Sequence, residues 1–361
     1  LDLVDMPLVD HHVHGVTQVE VSRREWELTL SESSRPIPAG LSAFDSQVGL
    51  AIRRWCAPVL DLPARVSGQA YFQRRLELGV AEVNRRMLAA SGIATFLVDT
   101  GYGGQLPDVG PAQVKAIVRI EAVMEQVAAA AVTAIDFPDA FRQALRYASV
   151  SAVGLKSIVA YRHGLDFDPA RPTDAAVVEA AGQWLQRPGS RLTDPVLLRF
   201  GLWCAVDTGL PLQLHTGFGD PDLDLRRCDP LLLTPWLRAI EGADVDVLLL
   251  HCYPFHRNAG YLAQVFPHVY MDVGLAVNHT GLRSDAVIAE SLELAPFGKV
   301  LFSTDGCGPA ELHYLGAALW RRGMARLLGA WVESGDCEAA DARRIARLIG
   351  RDNANRVYRL K

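Results

Sequence analysis

The sequence predicts an α/β chain folded as a single (β/α)8 TIM barrel. Three observations predict it: eight short apolar runs along the chain, helical patterning between them, and metal-binding residue types at the ends of several runs. Near-continuous apolar strands alternating with helices indicate a parallel sheet covered on both faces. Eight such units favour closure into a barrel over an open sheet, and 361 residues suit one barrel with insertions, spanning 1–361 as one domain.

In chain order the expected strands are 7–14, 94–100, 116–123, 152–160, 210–216, 245–252, 269–275 and 300–305. Between them, 67–90 is rich in Arg, Leu, Glu and Ala, and 174–185 opens at a good N-cap. Leu, Ala and Arg at helical spacing predict helices over 315–333 and 338–350. The stretch 15–63 is unlike the rest, with Trp26, Trp55, a Ser-Glu-Ser-Ser run and several prolines. It reads as an N-terminal insertion after strand one, and long excursions there form lids or interface elements.

The net charge of −5 offers no basic field for nucleic acid, so a small polar molecule is the expected partner. No apolar run reaches the roughly 20 residues of a membrane span, and the opening Leu-Asp-Leu-Val-Asp has no basic n-region. Six scattered cysteines without a C-x-x-C pair read as reduced thiols of a cytoplasmic protein. A homodimer is the default assembly for a soluble enzyme.

Four of the apolar runs end in potential metal ligands: Leu-Val-Asp-His-His-Val-His at 8–14, then His215, His251 and Asp305. Functional groups of a barrel gather at the C-terminal ends of its strands, so these should meet at one pole. A strand period of two places His12 and His14 on one face and turns His11 away. Each signal alone is weak; their joint placement points to a metal centre. Nitrogen and carboxylate donors without thiolates suit Zn2+, with Mn2+, Fe2+ or Co2+ as alternatives.

This pattern resembles the amidohydrolase superfamily, in its amidohydrolase-2 group. The family's Asp-x-His-x-His opening matches Asp10 to His14, its histidines on strands five and six match His215 and His251, and its aspartate on strand eight matches Asp305. The ending Asp352-Asn-Ala-Asn-Arg-Val-Tyr358 is similar to that group's last helix. Three further stretches resemble the amidohydrolase part of fusion proteins that carry a glutamine-synthetase-like domain. They are Gly154-Leu-Lys-Ser-Ile-Val-Ala-Tyr-Arg162, His215-Thr-Gly-Phe-Gly-Asp220 with Asp224-Leu-Arg226, and Tyr253-Pro-Phe-His-Arg-Asn-Ala-Gly-Tyr261.

The resemblance implies a metal-dependent hydrolase and leaves two schemes open. In one, His12, His14, His215 and Asp305 hold a single ion and His251 acts on the substrate. In the other, a carboxylated Lys156 bridges two ions, the second held by His215 and His251. In a third reading Lys156 stays an ammonium and holds a substrate carboxylate. Asp305 is the expected proton acceptor and His251 the stabiliser of the oxyanion. Substrate contacts are expected from Tyr161 and Arg162 after strand four, and from Asp220, Asp224 and Arg226 after strand five. His256 and Arg257 after strand six, with Glu311 and His313 after strand eight, complete the set. Charges of both signs suit an amino-acid-like substrate, and the resemblance suggests a γ-glutamyl amide. The same family implies a non-oxidative decarboxylase as the runner-up, and a non-catalytic barrel scaffold ranks behind both.

Overall fold

The structure is a computed structural model that describes residues 1–102 and 104–360. Seven parallel strands form one sheet in sequence order. They are β1 (Leu8–Val13), β2 (Ile93–Asp99), β3 (Gln113–Arg119), β4 (Ala152–Ser157), β5 (Leu212–Thr216), β6 (Val247–His251) and β7 (Val269–Met271). β1, β5 and β6 are buried along their whole lengths, as expected of strands covered on both faces. Helices pack on the outside by their apolar stripes. In Phe137–Ser149 the stripe is Phe137, Phe141 and Leu145 at steps of four; in Ala310–Glu333 it includes Leu312, Leu315, Leu319 and Leu328.

The expected eighth strand forms no ladder. Residues 300–305 nonetheless lie between the two sheet edges: Leu301 N–H donates to the Met271 carbonyl, His11 N–H to that of Phe302, and Asp305 N–H to that of His12. The ladder is interrupted because the Asp10 carboxylate, not a backbone carbonyl, accepts both the Thr304 amide (3.0 Å) and its hydroxyl (2.5 Å).

Other boundaries differ for local reasons. Strand three is displaced to Gln113–Arg119, and a helix, Ile120–Ala129, begins where the largely apolar stretch, broken only by Arg119 and Glu121, reads as more strand. β4 stops at Ser157 and β7 at Met271, each followed at once by a helical turn. The stretch 67–90 is two helices, Gly68–Leu78 and Val80–Ala90, broken at Gly79, whose φ of 78° is open to glycine and strained for other residues. Within 15–63, helix Arg23–Leu28 is fixed by a Ser22/Glu25 capping box. Its Trp26 is buried against Phe44, Tyr71 and Phe72.

Candidate metal centre

The C-terminal ends of the strands bring five of the expected ligands together. His12 Nε2 and His14 Nε2 lie 3.1 and 3.5 Å from Asp305 Oδ1, and His251 Nδ1 lies 3.5 Å from Asp305 Oδ2. Donor atoms of His12, His14 and Asp305 all fall within 4.8 Å of one another. The β5–β6 register pairs Thr216 with His251, which sets His215 and His251 side by side with ring centroids 4.6 Å apart. His251 and Asp305 adopt φ of 67° and 49°, a left-handed backbone that non-glycine residues rarely hold.

Four polar atoms that face one another at this centre lack hydrogen-bond partners. Among the described residues His12 Nε2, His215 Nε2, His251 Nδ1 and Asp305 Oδ1 are buried and make no hydrogen bond. Buried polar groups are normally satisfied, so a convergent set of orphaned nitrogens and a carboxylate oxygen fits a divalent cation. The protonation states agree. Burial, with Lys156 nearby, pushes His12 down to about 3, and burial holds His215 and His251 below the usual imidazole range, so all three imidazoles are neutral at pH 7, as a cation's donors must be. Burial alone would raise Asp305, but His251, with His12 and His14, holds it well below the ordinary carboxylate range.

A hydrogen-bond relay beneath the centre fixes the His12 tautomer. Gln213 Nε2 donates to the His11 carbonyl (2.6 Å) and to the Tyr358 hydroxyl (2.8 Å), so Gln213 Oε1 faces His12 and accepts from its Nδ1 at 2.8 Å. The His12 proton therefore sits on Nδ1, and the Nε2 lone pair points at Asp305. His11, turned away from the centre, bonds to Asp272 (2.9 Å) and Tyr358 (3.0 Å).

A cavity of about 860 Å3 opens above these residues. Tyr161, Lys156 and Asp220 line it, as do Val16 to Val19 and Ser31 to Ser34 from the stretch after β1. Lys156 is buried, forms no ion pair among the described residues, and is pushed by burial down to about 8. The other expected substrate contacts do not line this cavity. Arg162 donates to Glu125 (2.9 Å), Arg226 pairs with Asp224 (2.8 Å) at the exposed surface, and Arg257 pairs with Glu293 (2.8 Å). His256 is bonded to Glu290 (2.7 Å). Glu311 is buried in the core, where Arg75 (2.8 Å) and Tyr71 (3.2 Å) donate to it. His313 is buried behind Gly306. In each case helix packing or a local ion pair has taken the side chain away from the cavity.

Comparison with known proteins decides the family. The amidohydrolase family model, of the amidohydrolase-2 group, matches residues 117–360. The chain belongs to the amidohydrolase family. A candidate metal-dependent hydrolase from Lactobacillus casei is similar over 99% of this chain and 96% of its own, with 27% identity and a TM-score of 0.85. Protein fluG of Emericella nidulans is 32% identical over 228 residues, which are 59% of this chain and 26% of that protein; the chain thus matches about a quarter of its length. Uronate isomerase from Thermotoga maritima shares the fold at 14% identity, covering 98% of this chain and 95% of its own with a TM-score of 0.62. Membership makes the chain an enzyme of the amidohydrolase type, and no helix among its described residues is long and apolar enough to cross a membrane.

The structure adds cavity residues that the sequence reading passes over. Arg119, at the end of β3, lines the cavity beside Lys156, its register partner on β4. Asp99, at the end of β2, is fully buried and receives Arg119 Nη2 at 2.5 Å and Nε at 3.1 Å. Burial would raise the Asp99 carboxyl, but Arg119 holds it down to about 2. Because the folded value lies below the unfolded one, this amidohydrolase gains stability from Asp99 above about pH 4 and loses it as pH falls toward 2. Melting temperatures measured from pH 5 down to pH 3 should therefore fall more steeply in the wild type than in Asp99→Asn. Parallel curves would remove the pair from the acid response.

Proposed function

We propose that this amidohydrolase cleaves an amide C–N bond of an amino-acid-like substrate, with γ-glutamyl amides as the class to which it belongs. The observation that carries the reading is the convergence of orphaned donors from His12, His215, His251 and Asp305 on a cavity walled by charges of both signs. The likeness to the Lactobacillus casei protein supports it.

His12, His14, His215 and Asp305 would hold one ion, and the nitrogen-and-carboxylate set suits Zn2+. When bound, a divalent ion supplies Lewis acidity toward water and the substrate carbonyl. Asp305, kept ionised by its histidine neighbours, accepts the proton of the attacking water and returns it to the departing amine nitrogen. The His251 imidazole stands beside the carbonyl oxygen as charge develops there. Lys156 remains an uncarboxylated ammonium on the cavity wall. Asp220 faces the amino group of the substrate, Tyr161 packs over His215 with ring centroids 4.5 Å apart, and residues 16–34 act as a lid that excludes water.

The test is amine release from a panel of γ-glutamyl amides by the metal-loaded chain. Release that stops with a chelator and returns with Zn2+ is expected. No amine from any amide, or CO2 from a carboxylic acid in its place, would overturn the reading.

A further inference from the structure

We propose that Arg119 is the seat for a free carboxylate on the acyl part of the substrate, a role that rests on the amide-hydrolase reading of the same cavity. Two arginines line the cavity, Arg119 and Arg191. Arg191 is 43% exposed and paired with Asp222 at 2.5 Å, so water and its partner weaken it as an anchor. Arg119 is 12% exposed. Its Nε and Nη2 both bond to Asp99 Oδ2, which locks the plane of the guanidinium, while Nη1 has no acceptor among the described residues. The edge formed by Nη1 and the second Nη2 hydrogen is a preset fork for a carboxylate.

Three neighbours build the seat. A Cβ at Gly101 would lie 2.5 Å from Arg119 Cβ and 3.0 Å from Nε, so glycine there leaves room for the side chain. The Tyr102 ring lies 5.6 Å from Arg119 Cζ and 5.6 Å from the His14 ring, so one aromatic ring contacts both the guanidinium and the candidate metal centre. Asp99 cancels the charge of Arg119, and the adjacent Lys156 leaves this wall with a positive excess that favours an anion. Asp220 and Glu32 line the same cavity, which gives a zwitterionic substrate a defined orientation: carboxylate toward β3, ammonium toward the loop after β5.

The test compares binding of glutarate, a dicarboxylate with the spacing of a glutamyl acyl group, with that of its neutral diamide, glutaramide. Arg119→Lys keeps the charge but loses the fork. Since Arg119 removed alone would strand Asp99, the double variant Asp99→Asn/Arg119→Gln removes the buried pair together. Calorimetry on the full metal-loaded chain should show the wild type preferring glutarate. That preference should fall by about tenfold in both variants while glutaramide binding stays unchanged. A wild type that does not distinguish the two ligands, or variants that keep the preference, would overturn the assignment. If the glutarate preference follows Arg119 but no amide is hydrolysed, the seat stands and the hydrolase reading falls.

Discussion

Asp305→Asn is expected to lower kcat for amide hydrolysis by on the order of 10^3-fold or more, with the fold intact. Two properties make this substitution a test of chemistry. Asparagine tolerates the left-handed backbone that φ of 49° imposes here, better than alanine would. It also keeps the size of the side chain while removing the negative charge that lies 3.1 to 3.5 Å from ring nitrogens of His12, His14 and His251. What disappears is the proton acceptor and the carboxylate donor together. The measurement is steady-state hydrolysis of a γ-glutamyl amide alongside a melting curve in chelator. Activity within tenfold of wild type would remove Asp305 from the reaction; a collapsed melting temperature would make its role structural.

The largest expected effect on stability lies outside the cavity. Arg75 is 2% exposed and Glu311 is fully buried, and the Arg75 Nε bond to Glu311 joins helix Gly68–Leu78 to the long helix that begins at Ala310. Removing one partner leaves an uncompensated charge in the core, so Arg75→Met should cost about 3–5 kcal/mol. Replacing both, as Arg75→Met/Glu311→Leu, should recover most of that loss, because an apolar pair of similar volume is not penalised in the same way. Urea unfolding midpoints of the single and double variants check this. The double variant should also keep kcat/KM within about threefold of wild type, since Glu311 is turned away from the cavity. A large loss of activity at normal stability would return Glu311 to the substrate.

The contrast between Glu311 and Asp305 marks what a sequence can convey. The convergent residues proposed as metal ligands are legible because a strand end fixes both place and direction: the residue closing an apolar run in a barrel faces the pole, and period two sorts His12 and His14 from His11. Residues a few positions further on carry no such constraint. His256 and Glu311 fall in the first turns of helices, where the helix phase, not the strand, sets direction, and both turn into packed side-chain pairs, with Glu290 and Arg75. Arg119 escapes for the opposite reason. The apolar run continues through Ile120 into Val123, so the strand reads as longer than it is and Arg119 as interior to it. The turn into a helix at Ile120 makes Arg119 the strand end. The eighth strand is legible as an apolar run, but not the Asp10 side chain that interrupts its ladder.

Everything proposed for the cavity depends on strand ends that would hold a divalent ion through His12, His14, His215 and Asp305. The most direct test is the metal content of the purified full chain and of Asp305→Asn, measured by elemental analysis at equal protein concentration. Close to one divalent ion per wild-type chain is expected, with a clear loss in the variant. A second ion would contradict the single-ion arrangement and bring in Lys156 as a bridge. A wild-type chain that holds no ion, and gains no activity when one is supplied, would contradict the metal centre itself.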